Sequence, residues 1–420
     1  MSLLMWVSGL VSIAQAAPYG WDGERVPSLL GPAPIPEVWL WQPEGEEAVG
    51  CADAPEGCLD MSLEWSTRSG GSWWRVQLED GVDPWSYRDT YRATGAWVLV
   101  EPTLLPPALD WQDGLTQSSW AAPYVMSESI PPGVRAGVVG YASDPDLVER
   151  SDVPLPTPFG EGLEDALIDL MRVHAGFEGS AMASISHHPV HTAEHGFNTA
   201  HALQGACGRV GPGGVVVLLT QTWSEGRYQS AVVNPRVEDA VHTCVEGGVL
   251  VVAPEGNDRT GLVDGDRPAD PDYDGALVVG ALADDPALWG ATRARTVLWA
   301  DPTVQLGEQL WGGTAASAAR VAGIAWRIQS EFVFDQGEPL TPADLQRFLR
   351  VSSYESGTPD QVPHLQGGID RLEGPRSDRR VSLTGGLGLI VGLMCVSMGA
   401  TVCVGFFLWL FRGLFSREKE

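Results

Sequence analysis

The segment at residues 311–323, "WGGTAASAARVAG", has the form of a glycine turn that leads into an apolar helix. Small residues crowd the turn and the first helical positions, so this helix can pack closely against its neighbours. A helix that starts in this way is a candidate carrier of a reactive serine. The residue directly after the Gly-Thr pair, however, is Ala315, and alanine offers no nucleophile.

Residues 133–353, which include this segment, alternate short apolar runs with helical stretches. The apolar runs are "AGVVGYA", "VVVLLTQ", "GVLVVAPEG" and "GALVVGAL". The helical stretches are "GLEDALIDLMRVHAG", "NTAHALQGACGRV", "NPRVEDAVHTCVEGG" and "TPADLQRFLRVSS". Apolar strands that alternate with helices predict an α/β domain in which helices cover both faces of a parallel sheet.

These segments, taken in order, resemble the subtilisin-like (S8) serine peptidase family. "GVRAGVVGYASDPDL" resembles the family's first strand, VAVIDTGI, and the HPDL after it, and "AVHTCVEGGVLVVAPEGND" resembles the helix and strand that end in AAGN. "GGTAASAARVAGIAW" resembles GTSMAAPHVAGAAA, and "LTPADLQRFLRVSS" resembles LTPAQIRQALLSTA. The resemblance implies a doubly wound parallel sheet with its site at the carboxyl ends of the strands.

The resemblance also implies positions for a catalytic triad, and this chain departs from the family at each of them. Gly140 stands where the family has its aspartate, and Ala315 stands at the serine. Segment order places Glu161 where the imidazole is expected. Asn257 occupies the position of the asparagine that donates to the oxyanion, but one such donor contributes far less to turnover than the serine does.

An alternative triad remains open from the sequence. It consists of His195 in "EHGFNTAHALQGA", Ser317, and either Asp144 or Asp146. Ser317 is two residues past Ala315, about 200° around a helix, so we expect it to face away from a site at Ala315. The first hypothesis is therefore a catalytically inactive pseudoprotease that binds peptide or a partner protein, and the second is an active serine endopeptidase.

Residues 17–105 form a tryptophan-rich, strand-like region that resembles the family's prodomain. Its "WVLVEPTLL" resembles the prodomain's VEPN tail, so we expect "VLVEP" to lie in the cleft. The tryptophans of this region either form the core of a β-rich domain, which we favour, or present a platform for sugars. A third hypothesis follows, in which this domain binds a partner and the chain is a scaffold of the cell envelope.

The ends of the chain predict export and a membrane anchor. Residues 1–16 are apolar and end in Ala-Gln-Ala, which is typical of a secretory signal peptide. A linker is predicted at 106–132, and a stalk at 354–383 precedes a transmembrane helix at 384–411. Its uncharged core, 387–411, is long enough to cross a bilayer, and the cytoplasmic tail would be 412–420.

The net charge restricts the class of partner. The chain has a formal net charge of −28, so a nucleic acid is excluded as a partner. A polypeptide, an envelope protein and the membrane remain as candidate partners.

The resemblance places Cys207 and Cys244 on adjacent helices and implies that they pair, and Cys51 is expected to pair with Cys58. No cofactor is expected, with calcium at "DPDYDG" (270–275) as the one alternative.

Histidines at positions 187, 191 and 195 recur every fourth residue, a spacing that on a helix suits zinc. Pro189 and Gly196 interrupt that segment and argue against a continuous helix, so we expect no metal there.

Overall fold

A computed structural model describes residues 34–45, 50–67, 70–102, 110–111, 133–141, 163–177, 185–192, 196–224, 227–256, 275–281, 298–355 and 361–362. By contacts the chain divides into two units, Met1–Gly368 and Ile369–Glu420, and every described residue belongs to the first. The predicted signal peptide, the predicted membrane span and the tail lie outside the described residues. None of the described helices is both long and apolar enough to cross a bilayer.

The N-terminal region folds as an antiparallel sheet with one helix. Its elements are β1 Pro34–Gln42, β2 Cys58–Ser66, β3 Ser72–Leu78, helix α1 Pro84–Arg92 and β4 Trp97–Pro102, and the sheet order is β2-β3-β1-β4. Helix α1 starts after Asp83, whose carboxylate accepts the backbone N–H of Ser86, and proline fills its first position. Trp39 and Trp73 are fully buried, so these two tryptophans belong to the core.

A parallel sheet of six strands forms the centre of the larger region. Its strands are β6 Ala136–Gly140, β7 Ile185–Pro189, β10 Val215–Leu218, β13 Leu250–Pro254, β14 Leu277–Ala281 and β15 Leu298–Ala300. The order is β15-β14-β13-β10-β6-β7, and every neighbouring pair is parallel. The predicted α/β class with a parallel sheet is therefore confirmed.

Helices cover both faces of this sheet. They are α2 Leu163–Ala175, α3 Thr199–Val210, α4 Pro235–Glu246, α5 Thr314–Gln336 and α6 Pro342–Ser352. Helices α3 and α4 enclose one apolar core with alternate residues of the strands, such as Val216 and Val251, whereas α2 and α5 pack together outside that core. Five of six strands here are buried on both faces, as the uninterrupted apolar runs predicted, while β7 at the edge is partly exposed.

Short strands complete the described part of the chain. They are β5 Asp110–Trp111, β8 His191–Thr192, β9 Gly196–Phe197, β11 Gln221–Ser224, β12 Arg227–Ser230, β16 Thr303–Leu306, β17 Gln309–Gly312, β18 Tyr354–Glu355 and β19 Gln361–Val362. Three of these strands lie within the predicted linker and the predicted stalk. Strand β5 lies within the predicted linker but pairs with β17, and β18 pairs with β19 inside the predicted stalk.

Helix α5 confirms the turn and helix expected from residues 311–323. It starts at Thr314 and ends at Gln336, before a glycine with a left-handed backbone at position 337. At Gly323 the helix meets α2 so closely that an added Cβ would collide with the backbone oxygen of Met171. The absence of a side chain at this position allows the two helices to touch.

Replacing Gly323 with alanine should destabilise the fold by roughly 1–3 kcal/mol or more, because backbone atoms of α2 must move to admit the methyl group. Gly208→Ala is the matched control, since Gly208 is also helical but has no atom within 4 Å of an added Cβ. That control should stabilise the protein by roughly 0.5–1 kcal/mol. Urea unfolding followed by tryptophan fluorescence measures both, and equal effects would contradict the close approach.

His174 on α2 makes the fold sensitive to acid. Burial, with a smaller effect of Arg320 and against the opposing effect of Asp301, lowers the pKa of His174 to about 3. Between pH 6.5 and about 3, His174 is protonated in the unfolded chain but neutral in the folded chain. The free energy of unfolding therefore falls as the pH drops through this range. We expect wild type to lose up to about 1.4 kcal/mol per pH unit more than His174→Gln in this window.

The measurement is the free energy of unfolding at several pH values between 6.5 and 4. His242→Gln, a substitution of a half-buried histidine on α4, serves as the control. If wild type and His174→Gln show the same pH slope, His174 is protonated in the folded state and the assignment is wrong.

Candidate functional site at the carboxyl edge of the sheet

The order of the central strands reverses at β6. Strand β7 follows β6 along the chain and pairs with one side of it, whereas β10 pairs with the other side. In doubly wound sheets ligands bind outside the carboxyl ends of the strands at such a reversal. Gly140 ends β6 at this edge, and the backbone N–H of Gly256, just past β13, donates to Thr314 Oγ1 at 3.2 Å. The start of α5 therefore lies at the same edge.

A carboxyl group from a helix lies directly beside Gly140. Glu164, in the first turn of α2, places Oε1 only 2.6 Å from the position that a Cβ on Gly140 would occupy. An aspartate at position 140 would collide with this carboxylate. Glycine at position 140 leaves the space that the Glu164 side chain occupies. The carboxyl group at the end of β6 is therefore supplied by α2 rather than by β6 itself.

An imidazole completes a buried acid–base pair at this point. Nε2 of His187, on β7, lies 2.5 Å from Oε2 of Glu164, and both side chains are mostly buried. Burial raises the pKa of the Glu164 carboxyl, while His187 and the Tyr141 backbone N–H oppose that effect. Burial lowers the pKa of His187, but the contact with Glu164 outweighs it, so the pKa of His187 is raised overall. Sequence reasoning considered His187 only as a metal ligand and missed this pair.

Ala315 stands where the resemblance places a serine, and its side chain carries no hydroxyl. Ala315 is fully buried in the first turn of α5, where only a methyl group is present. Ser317 is also fully buried, and its hydroxyl donates to the backbone oxygen of Ala300 at 2.8 Å. The Ser317 hydroxyl is therefore engaged with strand β15 and would have to give up this bond to act as a nucleophile.

The remaining predicted site residues lie outside the described residues. These are Glu161, Asn257, His195, Asp144 and Asp146. The same holds for the calcium alternative at 270–274. Within the part of the chain that the structure describes, no group of three or more His, Cys, Asp or Glu could hold a metal ion.

The N-terminal sheet contacts the larger region through a buried charged network. Arg236, at the start of α4, is fully buried and binds Glu101 on β4, with Nε–Oε1 at 3.1 Å and Nη2–Oε2 at 2.5 Å. Its guanidinium lies 3.2 Å from the ring centroid of Trp39. Trp73 Nε1 donates to Asp239 on α4 at 2.7 Å. Charge-assisted and cation–π contacts of this kind fix the orientation of the sheet against α4.

Strand β4 corrects the expected position of "VLVEP". Val98, Leu99 and Val100 pair with β1 inside the N-terminal sheet and are buried there. These residues form a strand of the domain rather than an extended tail in the cleft, because the strand pairs with β1 at the edge of the N-terminal sheet. Glu101 instead reaches Arg236 and the side chain of Asn234 at the start of α4.

Both predicted disulfides are present. Cys207 on α3 and Cys244 on α4 have Cα atoms 5.6 Å apart, and Cys51 and Cys58 have Cα atoms 5.5 Å apart. The Cys207–Cys244 bond links the two helices, α3 and α4, that cover one face of the sheet. The described cysteines are therefore all paired.

Comparison with solved structures identifies the architecture. A mutant of EpiP, the epidermin leader peptide processing serine protease of Staphylococcus aureus, matches with a TM-score of 0.50 and 9% identity, covering 80% of this chain and 99% of that chain. The fold is subtilisin-like. At this identity the likeness concerns the fold alone.

Other similar structures cover the chain to different extents. Fervidolysin from Fervidobacterium pennivorans, a keratinolytic enzyme related to subtilisin, matches with a TM-score of 0.47 and 12% identity over 84% of this chain and 63% of that chain. The patellamide maturation protease PatA matches with a TM-score of 0.41 and 17% identity over 58% of this chain and 98% of that chain. No family model and no curated protein matches the sequence.

Proposed function

We propose that this chain is an exported, membrane-anchored pseudoprotease that binds a polypeptide or an envelope protein at the carboxyl edge of its subtilisin-like sheet without cutting it. The observation that carries the proposal is the buried methyl group of Ala315 at the start of α5. Acyl transfer needs a hydroxyl with a base beside it, and loss of the nucleophile in such an enzyme costs about 10⁶ in turnover. The Glu164–His187 pair cannot replace that group.

One unpaired polar group at the sheet edge supports a binding role. Thr220, just past β10, is fully buried, and its hydroxyl has no hydrogen-bond partner among the described residues. A buried hydroxyl without a partner is costly, and the backbone of an extended polypeptide can supply one when the side chains that cover Thr220 move aside. The membrane anchor and the export of the chain rest on its apolar ends, 387–411 and 1–16.

The first experiment separates inactivity from an unrecognised triad. The full chain is treated with a fluorophosphonate probe, with Ser317→Ala as the matched variant and circular dichroism to establish that both are folded. We expect no labelling of either protein. Labelling of wild type that disappears in Ser317→Ala would overturn the proposal in favour of an active serine endopeptidase.

The second experiment tests binding. Fluorescein-labelled casein, an unfolded polypeptide, is titrated with the full chain while anisotropy reports binding and gels report cleavage. We expect binding without cleavage, and we expect Thr220→Val to weaken binding about fivefold because it removes one hydrogen bond. Thr90→Val, on the N-terminal helix α1, is the control. If casein is neither bound nor cut, the envelope-scaffold hypothesis takes the place of this one.

A further inference from the structure

Strand β2, Cys58–Ser66, is an outer strand of the N-terminal sheet. The sheet order is β2-β3-β1-β4, and within the described part of the chain β2 pairs with β3 and with no other strand. The opposite outer strand, β4, is held against α4 by the contact of Glu101 with Arg236. An outer strand presents backbone N–H and C=O groups that an extended polypeptide can pair with by adding a further strand.

Two large apolar side chains of this strand are exposed. Leu59 is 65% exposed and Leu63 is 50% exposed. Leu63 stands opposite Trp74 of β3, and Trp74 packs against the apolar core that includes residues of α1. Residues that stand opposite each other in neighbouring strands share a face of the sheet. Leu63 therefore extends this apolar face to the edge of the sheet, where half of its side chain meets solvent.

The part of β2 that can accept a further strand lies between two irregularities. The register with β3 shifts between Cys58 and Asp60, and it shifts again between Leu63 and Trp65. Irregularities of this kind bend an outer strand and limit its pairing. Residues 60–63 pair with β3 without a shift, so they form the regular stretch along which a partner strand can add.

The charge of this edge favours a basic partner. Residues 43–66 contain seven acidic residues and no basic residue. Glu64 is compensated by Arg75 of β3, whose Nε lies 3.3 Å from Oε1 of Glu64. Asp60, in contrast, is exposed and forms no ion pair among the described residues. A basic side chain opposite Asp60 would therefore form a favourable cross-strand pair.

A second copy of this chain fits the edge poorly. Antiparallel pairing of two β2 strands about Ser62 would place Asp60 of each copy opposite Glu64 of the other. Like charges that stand opposite each other destabilise a strand pair. Each chain also carries a formal net charge of −28, which opposes the approach of two copies.

We propose that β2 binds a basic segment of a partner polypeptide in extended conformation. The segment adds to the N-terminal sheet along residues 60–63, places a basic side chain near Asp60 and packs an apolar side chain against Leu63. Backbone pairing supplies affinity in this mode of recognition, and the alternate side chains supply specificity. The proposal concerns a different region from the edge of the large sheet and does not rest on the proposed function.

Fluorescence anisotropy with the full chain tests the proposal. The probe is a fluorescein-labelled heptapeptide that alternates arginine with valine, and the comparison peptide has proline in place of the central valine. We expect the first peptide to bind and the proline peptide to bind at least about tenfold more weakly, because proline removes a backbone donor from the strand. The two peptides have the same charge, so charge alone would not separate them.

Two variants with matched controls locate the binding. Asp60→Lys should weaken binding of the arginine–valine peptide about tenfold, because it places like charges opposite each other. Asp335→Lys makes the same charge change at an exposed position near the end of α5 and should have less than about a twofold effect. Leu63→Ser should weaken binding about fivefold, whereas Val351→Ser, at a residue of α6 that is 51% exposed, should not. Circular dichroism establishes that each variant is folded.

The proposal fails on any of three results. The first is that the arginine–valine peptide does not bind to the folded chain. The second is that the proline peptide binds equally well, or that Asp60→Lys and Asp335→Lys have equal effects, which would assign the binding to net charge. The third is that sedimentation shows a dimer of the wild-type chain that Leu63→Ser dissociates, which would assign the edge to a second copy.

Discussion

Replacing Glu101 with glutamine should lower the free energy of unfolding by roughly 3–5 kcal/mol, because the substitution removes the direct partner of a fully buried guanidinium. Arg236 has no exposed surface and binds both carboxylate oxygens of Glu101. Glutamine keeps the shape of the side chain but removes its charge. The measurement is urea unfolding of the full chain, with limited proteolysis to detect release of the N-terminal sheet.

Two further variants serve as controls for the effect of Glu101→Gln. Asp169→Asn breaks an exposed ion pair with Arg172 and should cost less than about 1 kcal/mol. Arg236→Met combined with Glu101→Gln removes both charges, and we expect the pair to be more stable than Glu101→Gln alone because no buried charge is left unpaired. If Glu101→Gln is no more disruptive than Asp169→Asn, the network does not hold the two regions together.

Loss of the Cys207–Cys244 bond should cost about 4 kcal/mol, since it releases a long loop in the unfolded chain. The bond spans 37 residues, whereas Cys51–Cys58 spans 7. Replacing the second pair with alanines is the matched control and should cost about 2–2.5 kcal/mol. Calorimetric unfolding of both double-alanine variants gives the comparison.

A larger loss for the shorter loop would contradict the entropic explanation. A loss for Cys207 and Cys244 that exceeds about 4 kcal/mol would indicate that packing of α3 against α4 also depends on the bond. Both bonds require an oxidising compartment, which agrees with the proposed export of the chain.

The local elements were predictable because each depends on residues close together in the chain. Apolar runs became buried strands, and the stretch from 341 to 353 became helix α6, Pro342–Ser352, with Thr341 as its cap. The turn into α5 and the alanine at position 315 were visible for the same reason. The likeness in segment order then indicated how the strands are arranged, and the parallel sheet agrees with it.

For the candidate site, the sequence predicted only which side-chain groups are absent from positions 140 and 315. The sequence showed that Gly140 and Ala315 carry neither a carboxylate nor a hydroxyl. It did not show that Glu164 fills the space beside Gly140, since the two belong to different elements. The sequence considered His187 only for its zinc-like spacing and gave no sign of this contact, because a strand residue's partner on a helix depends on how the two elements pack.

The sequence by itself determined the alternation of strands and helices, the turn at residues 311–323 and the alanine at position 315, because those properties depend on composition and on near neighbours. Only the tertiary structure decided that Glu164 meets His187 and that Arg236 meets Glu101 across 135 residues. Such contacts depend on how whole elements pack. Burial then determines their energy, because a charge removed from water needs a partner that only the folded chain provides.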